Sequence, residues 1–205
     1  MATLIEDFWS GLNNDGFHVT DSRRWGQLRD NHLTPAERFF IILENQIPPQ
    51  HSKNVRLITR NGTGAFLYVL TSADKHFWGV SASIISKLTA PHHSIMKTNK
   101  PVPWAVVLLD GDWRAGYWFD SATVLKLRQN WRQRNDPQGG EMIYYVGGSV
   151  MRCREDTAES KRFLSSNTLR ALLTELLDDA ENPYEKLSLH LHSPAAQYNM
   201  TNSNR

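Results

Sequence analysis

The segment Trp104–Leu109 most constrains the fold of this chain, because all six of its residues are apolar. An apolar run of this length is preceded here by proline and followed by Asp-Gly-Asp. These features predict a strand that is buried on both faces. The chain is therefore expected to build a sheet with this strand near its centre.

Short segments rich in β-branched and aromatic residues predict further strands on both sides of the central one. Their approximate bounds are 55–60, 65–71, 76–80, 114–119, 141–146 and 149–154. The joints Asn61-Gly62, Asp110-Gly111-Asp112 and Gly147-Gly148 have the composition of tight turns, since glycine and asparagine tolerate positive φ angles. Neighbouring strands are therefore expected to form antiparallel hairpins.

Four helices are predicted from capping residues and apolar spacing, at about 35–45, 81–88, 121–134 and from 165 or 166 onwards. The first begins with Thr34-Pro35-Ala36-Glu37, which supplies a cap hydroxyl, a proline at the first helical position and a glutamate near it. The last carries leucines at the spacing of a core-facing stripe. Together the elements predict an α+β fold with a single mixed or antiparallel sheet flanked by helices.

A chain of 205 residues suits one sizeable domain. We expect residues 1–50 to form a helical segment packed on the core, 51–185 the α+β core domain and 186–205 a flexible tail. The single cysteine, Cys153, excludes an intramolecular disulfide, and the sequence shows neither a signal peptide nor a membrane-spanning segment. A cytoplasmic protein without membrane contact is predicted.

Basic charge is concentrated in the middle of the chain. Residues 51–154 carry 14 Lys/Arg against 6 Asp/Glu, whereas the segments before and after are each net acidic by three. Clustered cations interleaved with aromatic residues suit a phosphate polymer better than a neutral metabolite. The predicted helix 121–134 adds Arg128 and Arg132 one turn apart. The sequence therefore predicts a nucleic-acid-binding module, with DNA favoured.

The candidate binding residues are cations that would neutralise phosphates and rings that would approach bases. They are Arg56, Arg60, Trp78, Lys87, His92, His93, Lys97, Lys100, Trp113, Arg114, Arg128, Arg132 and Arg134. Plainer explanations compete with these roles. Tryptophans on apolar faces, such as Trp104 and Trp131, are expected in the core. The adjacent histidines suit a solvated basic loop better than a metal site.

The order α-β-β-β-α-β in the first half of the chain resembles the restriction-endonuclease-like nuclease core. That resemblance implies carboxylates that hold Mg²⁺ and a Glu-x-Lys on the third strand. The strand here reads His76-Phe77-Trp78-Gly79-Val80 and supplies neither the second carboxylate nor the lysine. An alternative is therefore a Mg²⁺-dependent nuclease with an altered site built from Asp74, Asp110, Asp112 or Glu141.

A second series is similar to domains attached to restriction and phage-defence proteins. It consists of 76–80, 104–109, Gly116-Tyr117-Trp118, Tyr144-Tyr145 and Phe163-Leu164-Ser165-Ser166. This resemblance implies a module that contacts DNA. No complete catalytic or metal-binding signature is present, so a non-catalytic protein without a cofactor is favoured, and Mg²⁺ belongs only to the nuclease alternative. A protein partner bound by the acidic ends, or a homodimer, is the other alternative.

Overall fold

In a computed structural model, the protein is an α+β fold built on two sheets, one with six strands and one with three. The structure describes residues 3–20, 47–72, 77–89, 102–135, 140–147 and 160–181. The predicted α+β class is confirmed. The prediction of a single sheet is wrong, because three strands pair with one another instead of joining the central strand. The predicted helix 35–45, strand 149–154 and tail 186–205 lie outside the described residues.

The described residues form nine strands and four helices. The strands are β1 His18–Val19, β2 Val55–Arg60, β3 Thr63–Thr71, β4 Phe77–Ser81, β5 Trp104–Leu109, β6 Gly116–Asp120, β7 Arg132–Asn135, β8 Met142–Gly147 and β9 Lys161–Phe163. The helices are α1 Leu4–Asn14, α2 Ala82–Thr89, α3 Ser121–Leu127 and α4 Ser166–Glu181. A 3-10 turn occupies Pro49–His51. None of the described helices is long and apolar enough to cross a membrane.

The six-stranded sheet has the order β1-β2-β3-β5-β6-β9. Its only parallel pair among the described strands is β3 with β5, which runs from Phe66 opposite Trp104 to Thr71 opposite Leu109. All six residues of β5 are buried, as the apolar run predicted. The chain leaves this sheet after β3 and returns at β5, and β4 and α2 lie in that connection.

The predicted turns at two hairpins are confirmed. Asn61 and Gly62 have φ angles of 52° and 84° and join β2 to β3. Gly111, with φ 76°, turns the chain from β5 into the antiparallel β6. Both turns need backbone conformations that glycine and asparagine adopt more easily than other residues do. Turn chemistry therefore sets the register of these strand pairs.

Helices α1 and α4 cover one face of the six-stranded sheet. No bounds were predicted for the first helix, although its capping box is present in the sequence: Thr3 accepts from the Glu6 backbone, and Glu6 accepts from the Thr3 backbone. At Gly11 the helix meets Trp113, and a Cβ there would lie 2.6 Å from the indole ring. Glycine therefore lets the first helix pack closely on the β5–β6 turn.

Helix α3 begins as predicted, because the Asp120 carboxylate accepts a hydrogen bond from the Thr123 backbone at 2.8 Å. Its predicted end at 134 is wrong, since the helix stops at Leu127. Trp131 turns into the core, and the residues after it pair with β8 as strand β7. Tertiary packing therefore overrides helical propensity here. Arg128 is the C-cap of the helix and Arg132 lies in a strand, so the two arginines are not one turn apart on a helix as predicted.

The three-stranded sheet has the order β4-β8-β7 and is antiparallel. Its inner face, with α2 and α3, packs on the side of the six-stranded sheet opposite α1 and α4. Trp78 lies in this layer, fully buried, and its Nε1 donates to the Leu109 carbonyl at 3.1 Å. One large sheet is thus covered on one face by helices and on the other by a second sheet and helices.

Candidate nucleic-acid interface

Strand β4 alternates between the core and solvent. Trp78 and Val80 point inward and are fully buried, whereas Phe77 keeps 36% of its surface exposed. The prediction that Trp78 forms a stacking platform is therefore wrong, because its ring is enclosed and its N–H is already used. The aromatic residue that β4 presents to solvent is its neighbour, Phe77.

Strand β8 supplies a second ring to the same surface. The rings of Phe77 and Tyr145 are stacked, with centroids 5.0 Å apart and planes 22° from parallel. Tyr144, the preceding residue, instead packs against the core. Tyr145 lies directly opposite Gly79 in the β4–β8 register, so no side chain stands beside it on β4 at that position.

Strand β7 places two arginines next to this aromatic pair. Arg132 lies directly opposite Tyr145, and Arg134 directly opposite Ile143. Residues opposite each other in an antiparallel pair project to the same face, so both arginines are on the face that carries the rings. We call this surface the outer face. It consists of Phe77, Gly79, Arg132, Arg134, Ile143 and Tyr145.

The two arginines of the outer face differ from others in the described part of the chain. Both are exposed, and neither forms an ion pair with a described residue. Three other arginines each lie beside a carboxylate. The nitrogen–oxygen distances are 3.0 Å for Arg114 with Asp112, 4.0 Å for Arg162 with Asp110 and 2.9 Å for Arg170 with Asp15. The guanidinium groups of the outer face are therefore exposed and have no carboxylate neighbour among the described residues.

The other predicted cations that the structure describes do not belong to this face. Arg56 and Arg60 lie in β2 of the six-stranded sheet, where Arg56 donates to the Val55 and Ser52 carbonyls and Arg60 lies 5.2 Å over the Phe17 ring. Lys87 is on α2, and Arg128 caps the end of α3. The residues His92, His93, Lys97 and Lys100 lie outside the described residues.

Trp113 and Arg114 form a separate group at the β5–β6 turn. The guanidinium lies 5.7 Å from the indole ring centre and is hydrogen-bonded to Asp112 at 3.0 and 3.3 Å. These bonds hold the pKa of the Asp112 carboxyl below its ordinary value. Trp113 also packs against Gly11. Both side chains thus have partners within the protein. Trp113 packs on the side of the six-stranded sheet that α1 and α4 cover, away from the small sheet.

A second concentration of polar side chains surrounds Glu141. Its Oε1 accepts from the hydroxyl of Ser83 at 2.7 Å and from that of Ser81, while its Oε2 lies 3.1 Å from His51 Nε2. His51 and Glu141 are only 15% and 13% exposed, and Ser81 is fully buried. We call these four residues the Glu141 cluster. Sequence reasoning identified only Glu141 from it.

Hydrogen bonding decides the charge state of this cluster. Partial burial disfavours ionised Glu141, but the bonds from the serines and from His51 outweigh that effect and lower its pKa. Burial raises the pKa of the nearby Tyr68 hydroxyl, which accepts from the Ser81 backbone. The carboxylate is therefore the ionised centre of a network whose remaining members are neutral hydroxyls and an imidazole.

The arrangement of the Glu141 cluster is structural rather than nucleophilic. The carboxylate stands between the histidine and the serines, so the imidazole is not positioned to take a serine proton as a general base would. Ser81 Oγ also accepts from the Ile84 backbone at 3.2 Å, which caps the start of α2. The cluster ties the end of β4 and the start of β8 to the 3-10 turn at His51.

The three described carboxylates of the nuclease alternative do not converge. Asp110 and Asp112 each lie beside an arginine, Glu141 belongs to the Glu141 cluster, and Asp74 lies outside the described residues. Among the residues that the structure describes, no three His, Cys, Asp or Glu side chains group as metal ligands would. The described geometry therefore gives this alternative no support.

No protein-family model, curated protein or solved structure matches this chain. The resemblances to the restriction-endonuclease-like core and to phage-defence proteins therefore stay predictions. Its function is therefore inferred from its surface chemistry, and among the described residues the outer face combines exposed cations with a stacked aromatic pair.

Proposed function

We propose that this protein binds nucleic acid through the outer face. The observation that carries the proposal is the stacked Phe77–Tyr145 pair beside two exposed arginines that form no ion pair with a described residue. Aromatic rings and cations on one surface match the two features that every nucleic acid offers, which are base faces and phosphates.

The arginines supply the electrostatic part of this interaction. A guanidinium group is always charged and offers a planar set of donors that fits two phosphate oxygens at once. Arg132 and Arg134 have no carboxylate to leave among the described residues, so contact with a phosphate costs them no existing ion pair. Their alternation along β7 points both side chains to the same side.

The basic middle of the sequence adds long-range attraction of the same sign. The resemblance to domains of restriction and phage-defence proteins supports DNA as the first polymer to test, and membership of such a system is part of the proposal on that ground alone. A cleavage step is not proposed, since Asp110, Asp112 and Glu141 already have partners among the described residues.

The proposal is tested by fluorescence anisotropy of labelled DNA at about 50 and 200 mM salt. The variant is Arg132→Gln/Arg134→Gln. The matched control is Arg162→Gln/Arg170→Gln, which removes the same charge from arginines that already have carboxylate neighbours. We expect the first variant to bind more weakly and to lower the salt slope by roughly 0.7 for each lost contact with a single strand.

Two results would remove the proposal. Equal losses in the variant and its control would show that only net charge matters. Binding that is insensitive to salt would show that phosphate contacts do not drive it.

A further inference from the structure

We infer that the outer face selects single-stranded over duplex nucleic acid, with unpaired bases stacked on the Phe77–Tyr145 pair and the backbone following Arg132 and Arg134. This inference rests on the proposed function and adds the substrate class. It is carried by the placement of the rings relative to the arginines.

The aromatic pair requires an accessible base face. The two ring centroids lie 5.0 Å apart, the rings are nearly parallel, and Phe77 is 36% exposed. A base could therefore stack on this aromatic pair. In a duplex, base faces are stacked on one another and only base edges are open in the grooves. A single strand offers those faces directly, and stacking on aromatic side chains is the usual way in which proteins hold it.

Two glycines lie next to Phe77 in the β4–β8 pair. Gly79 is the next residue on the same face of β4, and Gly147 lies directly opposite Phe77 on β8. Gly79 is also under steric constraint, because a Cβ there would lie 3.1 Å from Ile143 Cγ2. Glycine within a strand often marks the close approach of a ligand or another backbone. Here Gly79 lets the Ile143 side chain pack closely over β4, and neither glycine adds a side chain next to the exposed ring.

The arginines lie on one side of the rings rather than around them. Arg132 is directly opposite Tyr145 and Arg134 is two residues further along β7, or roughly 7 Å by the rise of a strand. Phosphates bound there would run along the edge of the sheet while bases turn inward over β8 and β4. This one-sided arrangement suits one sugar-phosphate backbone better than two.

The test uses three labelled ligands of equal length, about 12 nucleotides: a DNA single strand, the same strand with abasic sites, and the duplex. The protein variants are Phe77→Leu and Tyr145→Leu, with Trp113→Leu as a control, since Trp113 is a partly buried ring that also lies beside an arginine. Circular dichroism and thermal melting establish that each variant is folded. Affinities are measured at one fixed, low salt concentration.

We expect the normal strand to bind more tightly than both the duplex and the abasic strand. Phe77→Leu and Tyr145→Leu should each weaken binding of the normal strand by roughly 5- to 150-fold, and they should leave binding of the abasic strand unchanged. The control variant should bind as the unmodified protein does.

Tighter binding of the duplex, or equal affinity for normal and abasic strands, would overturn the inference. If binding then still depended on Arg132 and Arg134, the proposed function would stand without it. If none of the three ligands bound, the proposed function and the inference would fail together.

Discussion

The outer face lies on the small sheet and the Glu141 cluster lies at one end of that sheet, but the polar and charged groups of the two regions have opposite surroundings. In the cluster, one carboxylate is shared by a histidine and two serines and all four are largely enclosed. On the outer face, the two arginines project to solvent with no described ion-pair partner. Polar groups that hydrogen-bond to one another stabilise the small sheet. Charged groups that project to solvent are the ones that a ligand could contact.

The largest test of this contrast compares adjacent residues of β4. Trp78→Ala should lower the free energy of unfolding by about 3–5 kcal/mol, because it empties a buried site and removes the bond to the Leu109 carbonyl. Phe77→Ala should cost about 1 kcal/mol, the value of an exposed aromatic pair. Denaturant unfolding measures both. Equal losses would show that the inward and outward assignment is wrong.

The next effect concerns the Glu141 cluster. Glu141→Ala leaves Ser81 and Ser83 without their acceptor, and we expect it to lower the free energy of unfolding by about 2 kcal/mol. Asp112→Ala, which removes a more exposed ion pair with Arg114, is the control and should cost no more than about 1 kcal/mol. A smaller loss in the cluster than in the control would contradict its structural role.

A pH titration sharpens the same point. The folded pKa of Glu141 is lowered from 4.5, so its contribution to stability is complete above that value and is lost as the pH falls through the folded pKa. Glu141→Gln removes this dependence and leaves the other carboxylates as they are. Unfolding free energies of both proteins between about pH 7 and pH 3 should therefore converge at the acid end. Parallel curves would argue against an ionised Glu141.

The smallest expected change in stability is on the outer face. Arg132→Gln/Arg134→Gln should alter the free energy of unfolding by no more than about 0.5 kcal/mol, because both side chains are exposed. Differential scanning fluorimetry or denaturant unfolding checks this directly. A variant that keeps its stability and loses its ligand would separate the two regions most clearly, whereas a strongly destabilised variant would show that the arginines belong to the architecture.

Local signals in the sequence predicted much of the large sheet. The apolar run at Trp104–Leu109 favours a buried strand, which is what it forms. Asn61-Gly62 favours a tight hairpin, because these residues readily adopt positive φ angles. The cap at Asp120 is equally local. Each of these features depends on residues next to one another in the sequence. They can therefore be predicted from local sequence patterns.

The small sheet was not predicted because its pairing is long-range. Strand β4 pairs with β8, which lies more than sixty residues later in the chain, with Trp78 opposite Val146. No local sequence pattern indicates that these two strands pair. The polar segment Arg132–Asn135 becomes a strand only because β8 is beside it. Two adjacent residues of β4 are aromatic, and the sequence analysis favoured the larger ring, Trp78, and missed the outward Phe77.

The topology of the small sheet has a consequence for the order in which the molecule assembles. Strand β4 belongs to the connection between β3 and β5, and the β7–β8 hairpin to the connection between β6 and β9, so the small sheet forms where two excursions from the large sheet meet. Closing it requires both loops to be in place, which adds loop-closure entropy late in folding. We therefore expect amide protons of β4 and β8 to exchange with solvent before those of β3 and β5.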